Sequence, residues 1–221
     1  MKELPKKDLL KETIIQNISH TRIATILKEE DINKLNKNEL ITKYIEKYEN
    51  SEILGMWCHL IEVALRNKIN QFFITNINEE WLDMIIKKEK IFKSYDLLSH
   101  DFIKAKEQSK TKTNDDIISK TYFATWCYIL ESTYNDIFYN KNGFSFVFGI
   151  EIKNKKEIEK TKKYIHNIRK KIRNRIFHYE IVIINDNIKE ELDYIFEKLW
   201  KEKYENLIPK KYWLENLLTR K

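Results

Sequence analysis

Arg173, Asn174 and His178 fall within six residues of one basic segment, Lys170–Glu180, which runs Lys-Lys-Ile-Arg-Asn-Arg-Ile-Phe-His-Tyr-Glu. An imidazole beside a guanidinium is what phosphodiester transfer needs. The imidazole takes the proton of an RNA 2′-hydroxyl or returns one to the leaving 5′-oxygen, and the guanidinium steadies the extra charge on the phosphorane through paired N–H donors. Such a reaction uses the neighbouring 2′-OH, so it cuts RNA, spares DNA, needs no metal and leaves a 2′,3′-cyclic phosphate and a 5′-hydroxyl. Asn174 shares a helical face with His178 and can hydrogen-bond the imidazole or a phosphate oxygen. With six arginines and five histidines in 221 residues, chance places Arg-Asn-x3-His roughly 0.01 times, so the spacing is moderately specific.

Geometry sets a condition on this chemistry. On an ideal helix Arg173 points about 140° away from His178. The two converge only if the helix ends or bends near Phe177, if the arginine arm wraps round, or if a second copy supplies the missing partner. The plain alternative for His178 is a helix-end histidine bonded to a nearby carbonyl. Arg169, Lys170, Lys171 and Arg175 surround the motif and are the candidate grips for an RNA backbone.

An echo of the motif lies upstream. Ala64-Leu65-Arg66-Asn67-Lys68-Ile69 parallels Lys171–Ile176, but the position matching His178 is Gln71, so this copy carries no titratable group there. Glu62 and Arg66 are four apart on one face and can pair with each other or orient the second motif; Asn67 and Tyr179 complete the candidate supporting set. A structural ion pair is an equally good account of Glu62 and Arg66.

The elements that must position these residues are helices. Three glycines and two prolines in 221 residues leave few turn formers, which disfavours sandwiches, barrels and doubly wound sheets, while 42% hydrophobic and 13% aromatic content supports a real core. An all-α fold is expected. Short helices are predicted over Lys7–Ile18 and Ser19–Glu29, the second capped by Ser19 or Thr21. An amphipathic helix then starts at an Asn38 cap and leads into a buried helix over Ser51–Phe73, marked by Ile53, Leu54, Trp57, Leu60, Ile61, Ala64, Leu65, Ile69, Phe72 and Phe73. Trp81–Phe92 is a further helix. The polar run from Gln108 is a surface loop, and Asn114 or Asp115 caps a second core helix, Asp116–Tyr139.

Lys141-Asn142-Gly143 signals a turn, and Phe144–Ile150 is too short and alternating to be assigned as helix. Glu157–Tyr179 is the third core helix. Its stripe comprises Ile158, Tyr164, Ile165, Ile168, Ile172, Ile176 and Tyr179, and it stops within a turn of His178, where Ile181–Ile184 is β-branched. Asn187–Trp200 and Tyr204–Leu218 close the array. No domain boundary or fixed-period repeat interrupts it.

The net charge of +7 gives a positive field that attracts polyanions, although a solvated lysine-rich surface explains the excess equally well. Cys58 and Cys127 sit in apolar helical stretches and are expected as small core residues of a reducing compartment. His59 is expected in the core, and His20, His100 and His166 on the surface. No Gly-rich phosphate loop, HExxH, CxxC pair or serine elbow is present, so neither a metal nor a cofactor is expected. The N-terminus lacks an apolar signal core and no run is long enough to span a bilayer, so a soluble cytoplasmic protein is expected.

Three segments together resemble a known family. Glu62-Val-Ala-Leu-Arg-Asn67, the aromatic Tyr122-Phe-Ala-Thr-Trp126 and above all Ile168–Glu180 resemble the bacterial abortive-infection (Abi-like, AbiD/AbiF type) proteins of the HEPN superfamily, over about Ser19 to Trp200. Where that family often has His-His-Glu-Pro, this chain has His178-Tyr179-Glu180-Ile181. The resemblance implies a HEPN-like helical bundle: one domain over 1–221, with a peripheral helix and loop at 18–36, a core at 37–200 and a C-terminal helix at 201–221. It implies a metal-independent endoribonuclease toxin of phage defence, with Arg173, Asn174 and His178 catalytic. It also implies a homodimer whose two motifs build one cleft, and an antitoxin partner, RNA or protein. A non-catalytic RNA-binding module and a protein-interaction scaffold of a defence complex are the alternatives.

Overall fold

The computed structural model describes residues 37–131, 136–178, 182 and 184–214. The helices expected over Lys7–Ile18 and Ser19–Glu29, and the end of the expected terminal helix, lie outside the described residues. Among the described residues the fold is all helical, with no strand.

The organising element is α1, a continuous helix over Lys37–Asn76, 40 residues long. The two helical patterns predicted here are therefore one rod of roughly 60 Å at 1.5 Å per residue, and Asn38 lies inside its first turn rather than capping it. Leu54, Trp57, Ile61, Leu65, Ile69, Phe72 and Phe73 are buried, so the three-and-four spacing faces the core as expected, with Ile53, Leu60 and Ala64 packed at its edge. The Trp57 indole, buried at mid-helix, donates to the Tyr212 carbonyl at 3.0 Å.

The next pieces are short: α2 (Trp81–Ile86), a tight 3-10 turn over Lys90–Tyr95, α3 (Asp96–Gln108), α4 (Asn114–Ser119), α5 (Phe123–Ile129), α6 (Asp136–Asn140) and α7 (Gly143–Phe148). Three expectations are corrected here. The helix predicted over Trp81–Phe92 stops at Ile86 and turns through Lys88 at φ 55°. The cap of α4 is Thr113, whose side chain accepts from the Asp116 N–H.

The largest correction concerns Asp116–Tyr139, which is not one helix. Buried Thr121 donates to the Ile118 carbonyl at 2.7 Å and accepts from the Trp126 indole at 2.8 Å, while Tyr122 is extended at φ −85°, ψ 153°. A side chain that bonds its own backbone competes with the helical ladder, and here it ends α4 and restarts the chain as α5. Buried Trp126, Cys127 and Ile129 still face the core.

α7 is a helix after all. Phe144, Val147 and Phe148 are buried at helical spacing, behind the predicted turn in which Asn142 is left-handed at φ 59°. A methyl on Gly143 would stand 2.5 Å from the Phe138 ring, so only glycine fits.

The segment that carries the motif begins with α8 (Lys155–Asn167), capped by Asn154 through the Glu157 N–H. It continues through a π-helical stretch, Ile168–Arg173, and ends as α9 (Asn174–Phe177), with His178 at the C-cap. α10 (Asp186–Trp200) packs on α8 and α1. The terminal helix predicted over Tyr204–Leu218 is instead α11 (Tyr204–Leu207), then Pro209 and a 3-10 turn, Lys210–Tyr212. Proline lacks the N–H that would carry the helix through. Among the described residues no helix is long and apolar enough to cross a membrane.

Candidate functional site

The motif occupies a rod with an irregular backbone. The Asn174 N–H bonds back to the Arg169 carbonyl, five residues earlier, which marks the wide turn of a π-helix. Packing against α1 selects it: Ile168, Ile172 and Ile176 follow one another at strict steps of four and must all face that helix. On an α-helix each such step drifts about 40° round the axis. One extra residue in the turn takes the drift back, so Ile168 and Ile172 stay fully buried and Ile176 remains packed against the core at α1.

The same rephasing sets Arg169 and Arg173 on one face, one wide turn apart. Both are half-buried. The Arg173 guanidinium carbon lies 4.1 Å from the Phe177 ring centre, and that of Arg169 lies 5.7 Å from the ring centre of Tyr128 on α5. Arg173 Nε faces Glu62 Oε2 on α1 at 3.7 Å, with side-chain exposures of only 20% and 15%.

That ion pair is poorly made for its depth. At 3.7 Å it lies beyond hydrogen-bond range, and the Nε atoms of Arg66, Arg169 and Arg173 are all buried with no hydrogen-bond partner among the described residues. Burial pushes the Glu62 carboxyl above its ordinary value even though Arg173, Arg66 and His59 pull it down. Burial likewise lowers Arg66, against the pull of Glu62. At Glu62 and Arg66 burial outweighs the pull of the opposite charges nearby. Glu62 and Arg173 face each other at a distance longer than a hydrogen bond.

Beneath them lie the two cysteines, both buried and free. Burial pushes the Cys58 thiol far up, with Glu62 adding and Arg173 opposing. Cys127 is pushed up to about 12, first by burial, with Arg169 opposing. They are core residues, as expected, and burial favours the protonated thiol at both.

The structure brings Glu62, Arg66, Arg169 and Arg173 together. Asn174 is half-buried beside them, and His178 is exposed at the helix end, its N–H bonded to the Asn174 and Arg175 carbonyls at 3.1 Å. Lys170, Lys171 and Arg175 are exposed along the same rod. Asn67 is exposed on α1 and makes no hydrogen bond to the cluster among the described residues; Tyr179 lies outside them. His59, expected in the core, is exposed, because two residues from Trp57 is about 200° round the helix, on the far face.

Helix α9 does stop near Phe177. The wide turn, however, ends at Arg173, so the step of about 140° to His178 stands, and no hydrogen bond or ion pair joins the two side chains among the described residues. Tyr128 and Phe177 were not among the residues the motif's spacing picked out. The four-residue steps Arg169–Arg173–Phe177 carry a signal for the second ring, whereas Tyr128 reaches Arg169 only through the packing of α5 on α8. Among the described residues no three His, Cys, Asp or Glu side chains gather as a metal set.

No family model, curated protein or solved structure matches the chain.

Proposed function

We propose that the protein is a metal-independent endoribonuclease, a toxin of phage defence in the manner of the abortive-infection proteins its motif resembles, acting as a cytoplasmic homodimer. The observation that carries this is Arg173. The Arg173 guanidinium lies 3.7 Å from Glu62, beyond hydrogen-bond range, and keeps a fifth of its side chain exposed, so it can exchange a weak partner for an RNA phosphate. Five residues further on, His178 is exposed at the helix end.

In the proposed reaction an imidazole takes the 2′-hydroxyl proton, the 2′-oxygen attacks phosphorus, and the 5′-oxygen leaves with a proton from an imidazolium. Arg173 of one chain works beside the partner subunit's His178, which resolves the 140° separation. Asn174 orients the imidazole or the phosphate. Lys170, Lys171, Arg169 and Arg175 hold the backbone. Growth arrest follows from loss of cellular RNA, and an antitoxin, RNA or protein, would restrain it.

The test is incubation of the purified protein with end-labelled RNA in EDTA. Fragments ending in 2′,3′-cyclic phosphate are expected, and His178→Ala and Arg173→Ala should each lower the rate by about 10²-fold or more while leaving the fold intact. Salt-sensitive binding with no cleavage points to an RNA-binding module instead, and absence of both binding and cleavage points to a protein scaffold. Parallel expression in cells should arrest growth with the wild type and not with His178→Ala.

A further inference from the structure

We infer that Tyr128 and Phe177, each backed by an arginine, form a stacking subsite for unpaired nucleobases beside the phosphate-handling residues. The inference rests on the RNA-directed reading of the same site and adds the form of RNA it takes. Among the described residues six aromatic side chains are exposed, and these two are 40% and 63% exposed. Both lie against the guanidinium carbons of the basic rod, Tyr128 at 5.7 Å from Arg169 and Phe177 at 4.1 Å from Arg173.

Solvation of a surface rod does not call for that pairing. An aromatic ring fixed by a cation on an electropositive face is what a nucleobase stacks on, and stacking is tolerant of sequence because every base has a π-face. In a duplex the bases are already stacked on one another, so such a subsite selects single strands. Arg169 and Arg173 lie four residues apart on the rod, so the rings they back, Tyr128 from α5 and Phe177 from α9, stand beside neighbouring positions of one basic segment. Five basic residues in the seven positions Arg169–Arg175 supply the charge that a polyanionic strand requires, and this favours RNA over a purely apolar partner face.

The experiment uses full-length protein carrying His178→Ala, so that substrate survives, and measures its affinity for three labelled ligands: an unstructured RNA strand, the same strand in duplex, and a ribose-phosphate strand lacking bases. Tyr128→Leu and Phe177→Leu should each weaken binding of the unstructured strand about tenfold and leave the base-free strand unaffected. Tyr128→Phe and Phe177→Tyr, which keep the rings, should bind like the parent. Equal loss on all three ligands, or no loss on any, overturns the subsite. So does a Phe177→Leu protein that changes from dimer to monomer with unchanged affinity per chain, because the ring then belongs to a contact between copies. Ring-dependent binding in a wild-type protein that never cleaves RNA keeps the subsite and overturns the ribonuclease, and cleavage without ring dependence does the reverse.

Discussion

The two halves of the Lys155–Phe177 rod are built on opposite terms. In the first half Glu157 gathers the Asn154 amide at 2.7 Å, the Lys198 ammonium and, at 3.4 Å, the Tyr194 hydroxyl. Thr161 donates to the Glu157 carbonyl, Tyr164 donates to Glu190, and Lys160 lies 4.5 Å over the Tyr194 ring. In the second half the ion pair is stretched to 3.7 Å, the Nε atoms of Arg169 and Arg173 have no hydrogen-bond partner among the described residues, and the backbone widens. One half commits its polar groups to the fold. The other leaves two guanidinium Nε atoms buried and unbonded among the described residues, a local cost in stability of the kind that clusters at binding sites.

The sharpest way to break that contrast is to remove one anchor from each half. Glu157→Ala strips three partners at once and leaves half-buried Lys198 without its carboxylate, so it should lower unfolding free energy by roughly 2 kcal/mol. Arg173→Ala should lower it by less than half as much, because Arg66 remains beside Glu62 and burial already raises that carboxyl toward its neutral form, so little uncompensated charge is left behind. Urea unfolding of both variants decides the matter. An Arg173 loss as large as the Glu157 loss would make the second half structural too, and the case for a site there would go with it.

How much of this was legible depends on whether a feature is local. The buried stripe of α1 and the stop at His178 could be read because periodicity and β-branched residues act over a few positions. The Arg-Asn-x3-His spacing was legible for the same reason. The break at Thr121 was not, since a single hydroxyl bonding the Ile118 carbonyl overrode an apolar period that continued through it. The wide turn was hidden because isoleucines at steps of four suit an α-helix equally well, and only contact with α1 selects the π form. The pairing of Glu62 with Arg173, rather than with Arg66 alone, and the place of Tyr128 opposite Arg169 are consequences of tertiary packing that no spacing rule contains.

A subtler separation of the halves comes from pH. Burial raises the Glu62 carboxyl above its ordinary 4.5, so the folded protein holds that proton more tightly than the unfolded chain does. The sign follows: the favourable contribution is complete below about pH 4.5 and is lost as pH rises through the raised folded value, where a buried carboxylate must form. Glu62→Gln resembles the protonated state at every pH. Its stability relative to wild type should therefore increase from pH 4 toward pH 7, measured by urea unfolding at each pH. The opposite slope would mean that Arg66 and Arg173 overcompensate burial, and that Arg173 is held too firmly to be exchanged for a phosphate.

The smallest expected effect tests how closely the two elements of the site are pressed together. Gly55 lies in the middle of α1 where α9 approaches, and a methyl there would meet the Ile176 Cγ2 at 3.6 Å, an ordinary contact. Glycine inside a helix costs roughly 0.5–1 kcal/mol relative to alanine through the freedom of the unfolded chain, so Gly55→Ala should stabilise by about that amount, read as a rise in the urea midpoint. Because the added methyl touches the residue before Phe177, RNA affinity should be unchanged if α9 has the clearance the structure gives it. A stabilised protein with weakened RNA binding would mean that α9 must close on α1 when substrate arrives, and that the loosely held half of the rod moves as part of its work.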